Sequence, residues 1–158
     1  MATTEVLLTR EGFTALTAEL HRLKSEERPR VIQEIADARA HGDLSENAEY
    51  AAAREKQGYI EGRIADLDDK LSRAQVVDFS KDSSDQVRFG AFVSVVDDDT
   101  GDEKTLRIVG DLEADIKMNK ISISSPIARA MLGKRVSDLI EVNAPKGSVT
   151  YTITGVRY

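Results

Sequence analysis

Apolar side chains in the first half of the chain recur at spacings of three and four residues. The first series contains Phe13, Leu16, Leu20 and Leu23, and it continues through Val31, Ile32, Ile35 and Ala38. The second runs from about residue 44 to 75 and contains Tyr50, Ala53, Ile60, Ile64, Leu67, Leu71 and Ala74. Such spacing places the apolar side chains on one face of a helix. The pattern therefore predicts two long helices that each bury one face.

The two apolar series match each other when the helices are laid antiparallel. Leu16 then faces Leu67, and Leu23 faces Ile60. The midpoint of this pairing is Gly42, and glycine is the residue type that most often ends a helix. The sequence thus predicts a helical hairpin whose arm is roughly 45 Å long, at about 1.5 Å per residue.

Local signals predict where these helices begin and where they are disturbed. Pro29 lacks a backbone N–H, so it either bends one helix or separates two helices at a loop. The resumption of the apolar face directly after Pro29 favours a single helix. Thr9 is the predicted N-cap of the first helix. Asp43 is the predicted N-cap of the second helix, with Glu46 completing a capping box.

The second half of the chain alternates short apolar strands with turns. The predicted strands are 86–96 with a bulge at Gly90, then 104–109, 120–124, 139–144 and 148–156. A short helix over 126–133 has Ser125 as its cap, Pro126 at its first position and Gly133 at its end. The predicted class is α+β: an antiparallel coiled-coil hairpin over residues 1–78 and a small antiparallel sheet domain with one helix over 79–158.

Charge and composition restrict the functions that are open to the chain. Its 158 residues carry a net charge of −6, of which −5 falls in residues 1–78 and −1 in residues 79–158. Neither half is the basic body of a free-standing nucleic-acid binder, so such contacts should be local or made through a partner. There is no cysteine, no signal peptide and no apolar stretch of about 20 residues that could span a membrane. We therefore expect a cytoplasmic protein.

The predicted turn of the hairpin, residues 41–50, is rich in carboxylates, and we name it the acidic tip. It contains Asp43, Glu46 and Glu49. In one interpretation these side chains only cap a helix and face water. In the other, Asp43 and Glu46 complete the shell of a Mg²⁺ ion held elsewhere, because two carboxylates are too few to hold it alone. That chemistry would be metal-assisted hydrolysis of a phosphodiester.

Basic side chains lie partway along the predicted arm. Arg30 and Arg54 face each other across the hairpin, and Arg28, Arg39 and Lys56 are near them. They either pair with neighbouring glutamates or guide an RNA backbone. Tyr50 is either a seam residue or a platform for a base. The two histidines, His21 and His41, lack the spacing of metal ligands, so we expect no metal in the free protein.

Several motifs together resemble the bacterial GreA/GreB family of transcript cleavage factors. The sequence HGDLSENAEY of residues 41–50, with 53–55 and 61–63 after it, is similar to the family's coiled-coil turn. Residues 110–115 and 121–129 are similar to parts of its C-terminal domain. The resemblance covers essentially the whole chain. Ser124 favours the GreA branch, because aspartate is usual at this position in the GreB branch.

This resemblance implies a fold and a mechanism. The C-terminal domain would be FKBP-like and would dock at the rim of the RNA polymerase secondary channel. The coiled coil of a monomeric factor would enter the channel and help to hold the second Mg²⁺ and the attacking water, so that polymerase cuts the 3′ end of backtracked RNA.

The resemblance also assigns residues to this mechanism. By motif match, Asp43 and Glu46 are the acidic pair, with Glu49 a weaker third. Ser124, Ser125 and Pro126 match the loop that contacts polymerase. On the arm, Tyr50 and Arg54 remain the candidate contacts to RNA or polymerase that the residues themselves indicated.

Two alternatives stay open at this stage. A channel-occupying inhibitor of polymerase from the same family would carry a denser acidic tip than the three carboxylates of residues 41–50. A prolyl isomerase, suggested only by the implied fold, would need an aromatic pocket. The second half offers no tryptophan for one, and its aromatic residues are Phe79, Phe89, Phe92, Tyr151 and Tyr158.

Overall fold

The structure is a computed structural model that describes residues 5–42, 47–81 and 84–158. Within these ranges, every helix is too short or too polar to cross a bilayer.

The chain divides into two compact units. The hairpin unit contains Phe13–Ala74, and the sheet unit contains Glu5–Gly12 together with Gln75–Tyr158. The sequence predicted a single division of the chain, between residues 78 and 79. Contacts within the fold group the first strand and the start of the first helix with the sheet.

Among the residues that the structure describes, three helices and one π-helical turn form the hairpin unit, apart from the first residues of α1, which group with the sheet unit. They are α1 (Arg10–Arg22), the π-helical turn Leu23–Glu27, α2 (Arg28–Arg39) and α3 (Ala48–Ser72). The helical backbone continues across Pro29, so the prediction of a single helix over this stretch is confirmed. In the π-helical turn the Arg28 N–H donates to the Leu23 carbonyl. This wider turn lies directly before Pro29, which cannot donate a backbone hydrogen bond.

One apolar seam runs along the hairpin unit, as the spacing predicted. Its buried members are Leu16, Leu23, Val31, Ile35 and Ala38 from the first helical stretch, and Ala53, Ile60, Ile64 and Leu67 from α3. Ile32 was placed on this face but is 53% exposed, so that assignment was wrong. Gly42 follows α2 with φ of +109°, a conformation that favours glycine. The predicted turn position is therefore confirmed.

Charged pairs cross the hairpin on either side of the seam. Arg63 contacts Glu19 through two hydrogen bonds of 2.8 and 2.9 Å. Arg28 contacts Glu61 in the same bidentate way, at 2.9 Å for both bonds. Later residues of α3 pair with earlier residues of the first stretch, which is the order that an antiparallel hairpin requires.

The sheet unit contains a five-stranded sheet, one short helix and a second small sheet. Its elements are β1 (Val6–Leu8), β2 (Ala74–Val76), β3 (Phe92–Asp97), β4 (Glu103–Val109), β5 (Lys120–Ser122), α4 (Pro126–Met131), β6 (Leu139–Ala144) and β7 (Gly147–Arg157). The larger sheet has the order β5-β4-β3-β7-β6, and β1 pairs with β2 in the smaller one. The contacts of Ala74 assign it to the hairpin unit, whereas Gln75 belongs to the sheet unit. The strand β2 therefore begins at the boundary between the two units in the sequence.

The predicted α+β class is confirmed, with two differences in the sheet. The β4–β5 pair is parallel, whereas the other pairs of the larger sheet are antiparallel. The strand predicted over 86–96 begins only at Phe92. Gly90 lies in a turn with φ of +86°, and the irregularity in strand pairing lies instead between Ser94 and Val95.

A closed core lies within the sheet unit. Val93, Ile108, Met131 and Ile153 are each completely buried, which joins three strands to α4. This core positions the turn between β5 and α4, where the predicted residues Ser124 to Pro126 lie.

The start of α1 is fixed to the turn after β4. Thr9 accepts a bond of 3.0 Å from the Gly12 N–H, which confirms it as the N-cap. The backbone N–H and the hydroxyl of Thr9 both donate to the Glu113 carboxylate. A Cβ on Gly12 would lie 2.0 Å from a Glu113 oxygen, so a larger residue there would displace the carboxylate that binds Thr9.

Candidate functional site

The two helix ends beside the acidic tip are joined by one side chain. Asn47 Oδ1 accepts from the Tyr50 N–H at 3.0 Å and caps α3. Asn47 Nδ2 donates to the carbonyl of Ala38, in the last turn of α2, at 2.6 Å. The prediction of Asp43 as the cap was wrong, because α3 begins at Ala48 and Asn47 occupies the capping position.

The carboxylates of the acidic tip fall partly outside the described residues. Asp43 and Glu46 lie outside them, and their assignment stays a prediction. Glu49 lies in the first turn of α3 with 73% of its side chain exposed, and its Oε2 is 3.1 Å from Nδ1 of His41. A carboxylate in the first turn is favoured by the partial positive charge of the helix N-terminus. Glu49 therefore contacts His41 and still faces solvent.

A groove beside the acidic tip lies between α2 and α3. It has a volume of about 380 Å³ and is lined by Glu34, Asp37, Ala38, Glu49, Ala52, Ala53 and Lys56. Its lining contains three small alanines, and three carboxylates stand against one ammonium group. Lys56 Nζ is 3.2 Å from Glu34 Oε1. Such a surface attracts cations and repels phosphate groups.

The basic residues of the arm are mostly paired with acids of the same hairpin. Arg28 contacts Glu61, and Arg30 contacts Glu27 at 3.3 Å. This matches the interpretation of a charged face that pairs with its neighbours. Arg54 is exposed and donates to Gln57 at 3.0 Å, and it forms no ion pair with any residue that the structure describes. A role for Arg54 toward RNA or polymerase stays a prediction.

Tyr50 has features of both roles that the sequence allowed, a seam residue and a platform for a base. Its side chain is half-buried, and the guanidinium of Arg39 lies 5.9 Å from the centre of its ring. The ring thus joins α2 to α3 and retains an exposed part.

In the sheet unit, the predicted contact residues form a hydrogen-bonded turn. We name residues 122–126 the serine turn. Ser124 Oγ donates to Asp111 Oδ1 at 2.9 Å, and the Ser122 hydroxyl donates to the same oxygen. These two hydroxyls lower the pKa of Asp111. Ser125 Oγ accepts from the Ala128 N–H at 3.3 Å, and Pro126 is the first residue of α4. The predicted cap is confirmed.

Two large apolar side chains are exposed shortly before the serine turn in the sequence. Ile116 is 87% exposed and Met118 is 65% exposed. They lie on a 3₁₀ turn that Asp115 caps by accepting from the Lys117 N–H at 3.1 Å. The sequence analysis missed both, because an apolar residue in a loop gives no periodic signal.

Three aromatic residues of the sheet unit, Phe79, Phe92 and Tyr158, lie against arginines. Arg107 and Arg157 lie 4.6 and 4.2 Å from the centre of the Phe92 ring. Arg88 lies 4.1 Å from the Phe79 ring and 5.1 Å from that of Tyr158. Charged groups on these ring faces do not form the apolar lining that a prolyl isomerase pocket would need.

Among residues 5–42, 47–81 and 84–158, no three His, Asp or Glu side chains are grouped closely enough to hold a metal ion.

Comparison with known proteins finds similarity over nearly the whole chain. A family described as "Transcription elongation factor, N-terminal" matches residues 6–76. A second, described as "Transcription elongation factor, GreA/GreB, C-term", matches residues 82–158. The protein named transcription elongation factor GreA from Sinorhizobium medicae is 58% identical over 154 residues, which is 98% of each chain.

The chain belongs to the GreA/GreB family of transcription elongation factors.

Other GreA/GreB relatives are similar over the same extent. The GreA proteins of Phenylobacterium zucineum and Caulobacter vibrioides are each 56% identical over 154 residues, covering 98% of both chains. Solved structures include GreA factor homolog 1 (Gfh1) of Thermus thermophilus, at 28% identity, 98% and 100% coverage and a TM-score of 0.45. Another is a GreA/GreB factor from Nitrosomonas europaea, at 22% identity, 99% and 100% coverage and a TM-score of 0.44.

Membership of the GreA/GreB family confirms the resemblance that the motifs indicated. The relatives at 56–58% identity are named GreA, the branch that Ser124 favoured. The sequence analysis missed the position of Asn47, which joins the two helices beside the acidic tip. Asparagine and aspartate are equally good N-caps. Several residues that can cap a helix therefore stood within residues 43–47, and periodicity alone could not choose among them.

Proposed function

We propose that this chain is an accessory factor that enters the secondary channel of RNA polymerase and stimulates the polymerase's own cleavage of backtracked RNA. One observation carries the proposal. The connection from α2, which ends at Arg39, to α3, which begins at Ala48, contains Asp43 and Glu46. The two acids therefore belong to the turn of an antiparallel hairpin, which is the part of such an arm that enters a channel first.

The donor chemistry of the acidic tip fits Mg²⁺. This ion prefers oxygen ligands and often takes only one or two carboxylates, the rest coming from phosphate and water. When bound at the polymerase active centre, it supplies Lewis-acid activation of the phosphodiester and of the attacking water. In this proposal Asp43 and Glu46 bring negative charge to that centre and accept hydrogen bonds from the water. Glu49 adds to the field from the first turn of α3.

The serine turn is the proposed docking element for the rim of the channel. Its geometry is fixed by the Asp111 carboxylate on one side and by the cap of α4 on the other. A contact surface that is already ordered loses little conformational entropy on binding. Ser124, Ser125 and Pro126 would therefore set the position of the factor on the polymerase.

The proposal is tested with halted, backtracked elongation complexes of a bacterial RNA polymerase. We expect the protein to release short 3′ RNA fragments in a Mg²⁺-dependent reaction. Asp43→Asn and Glu46→Gln should each lower the stimulated rate by about 10²-fold, as when one electrostatic group at a reacting centre is removed. The concentration of the factor that gives half of the maximal rate should stay unchanged. Glu55→Gln, at an exposed position of α3, is the matched control and should cleave like the unaltered protein.

Unchanged stimulation by both variants would contradict the proposed role of the acidic tip. Repression of transcription without release of fragments would instead indicate an inhibitor from the same family.

A further inference from the structure

Asn47 makes two hydrogen bonds of different kinds. Its side-chain oxygen accepts from the Tyr50 N–H within α3, at 3.0 Å. Its side-chain nitrogen donates to the Ala38 carbonyl of α2, at 2.6 Å. The first bond is an ordinary helix cap. The second joins a residue that follows the turn to a residue that precedes it, so the side chain connects the two helices.

Two further contacts cross the hairpin at the same level. His41 Nδ1 is 3.1 Å from the Glu49 carboxylate, and the Arg39 guanidinium lies over the Tyr50 ring. Both involve exposed or half-exposed groups, which contribute little to the stability of a fold. The Asn47–Ala38 bond is shorter and partly buried. It is therefore the strongest candidate for setting the distance between the two helix ends.

We propose that Asn47 is a positioning residue for the acidic tip. By joining α3 to the last turn of α2, it fixes the two chain ends between which residues 43–46 run. The helix ends that flank Asp43 and Glu46 in sequence are thereby held at a set distance from each other. This inference rests on the proposed function. Its physical basis is that misplacing a group by about 1 Å can lower a rate by up to about 10²-fold.

The chemistry of asparagine allows the two bonds to be separated experimentally. Aspartate and serine cap a helix about as well as asparagine. Aspartate has only acceptor oxygens at neutral pH, so it cannot donate to the Ala38 carbonyl. Serine is shorter by one atom, and its oxygen is occupied by the cap. Asn47→Asp and Asn47→Ser should therefore keep the cap and lose the connection to α2.

The test measures the rate of RNA cleavage in backtracked complexes against the concentration of the factor. For N47D and N47S we expect the maximal rate to fall about tenfold or more, with the half-saturating concentration unchanged within about twofold. A merely structural role would leave both variants at the unaltered rate, because both retain the cap. Ala51→Asp adds the same charge at an exposed position of α3 and should cleave normally.

A second readout does not depend on activity. In the free protein, NMR should show slowed exchange of one Asn47 side-chain amide proton, because that proton is bonded to the Ala38 carbonyl. The Tyr50 amide should stay protected in N47S and N47D, which shows that α3 is still capped.

The inference is overturned if N47S and N47D reach the unaltered maximal rate, or if the Asn47 amide protons exchange as in a free side chain. These results would leave the proposed function standing, provided that the unaltered protein cleaves and that cleavage depends on Asp43 and Glu46. An unaltered protein that does not stimulate cleavage would end both proposals.

Discussion

The hairpin unit and the sheet unit present their candidate residues on different kinds of support. The serine turn rests on a closed core in which Val93, Ile108 and Ile153 are completely buried. The acidic tip stands at the end of a single apolar seam that is open to solvent along both sides. A substitution in the closed core should therefore disturb the whole sheet unit, whereas a change near the acidic tip should stay local.

The seam itself becomes thinner toward the acidic tip. Ile64 and Leu67 form its base, whereas the buried residues closest to the turn are Ala38 and Ala53. Burying an alanine yields much less free energy than burying a leucine or isoleucine, for which about 1.5–3 kcal/mol is typical. Polar contacts such as the Asn47–Ala38 bond should thus matter most where the apolar contribution is smallest.

The largest difference between the two units is expected in the stability that each loses when a buried isoleucine is truncated to alanine. Ile153→Ala should lower the free energy of unfolding of the sheet unit by about 4 kcal/mol, since the cavity is enclosed on all sides. Ile64→Ala should cost the hairpin unit about 2–3 kcal/mol, because two helices can close around the gap. Backbone amide exchange at increasing urea concentration measures both, read at α3 for the hairpin unit and at β3 and β7 for the sheet unit.

Ile32→Ala is the control for the isoleucine truncations, because Ile32 is 53% exposed. It should change stability by less than about 0.5 kcal/mol. A greater loss for Ile64→Ala than for Ile153→Ala would show that the seam, and not the closed core, is the more tightly packed region.

A smaller difference between the two units is expected in the stability that each loses as the pH falls. In the sheet unit, the hydroxyl and amide of Ser80, and then Arg10, lower the pKa of Asp78 to about 2. In the hairpin unit, Lys70 lowers the pKa of Asp66. A lowered pKa contributes stability above the unfolded value of about 3.9, and this contribution is lost as the pH falls toward the folded value.

Asp78→Asn should therefore lower the melting temperature of the sheet unit at neutral pH, and the difference should shrink between about pH 4 and pH 2. Asp66→Asn should do the same in the hairpin unit to a smaller extent. A constant difference between Asp78→Asn and the unaltered protein down to pH 2 would show that the Asp78 carboxylate is not held in its charged form.

Local periodicity explains why the hairpin was predictable from the sequence. The spacing of three and four residues located the seam, and Gly42 located its turn. Thr9 and Ser125 were found as caps because each directly precedes a helix pattern.

The pairing of distant segments was not predictable in the same way. The strands β1 and β2 have three residues each, which is too short for alternation to be visible. The parallel pairing of β4 with β5 depends on the path of the chain between them. Glu113, which binds Thr9, lies 104 residues from it in sequence.

Part of the candidate site was likewise beyond reach of the sequence. Motif similarity singled out the serine turn, but the bonds of Ser122 and Ser124 to Asp111 depend on the folded path of residues 110–125. The connection from Asn47 to Ala38 exists only once the hairpin has closed. Both features join residues that no local pattern relates.

In the proposed function, residues 41–50 reach the catalytic centre of RNA polymerase. The chain contains no cysteine, so Ser45→Cys provides a single attachment point for an iron chelate that generates hydroxyl radicals. Thr100→Cys, in the exposed turn between β3 and β4, is the matched control. In a backtracked complex, the label at position 45 should cut near the RNA 3′ end and the label at position 100 should not. Equal cutting from both positions, or none from position 45 in a factor that is bound, would contradict the account.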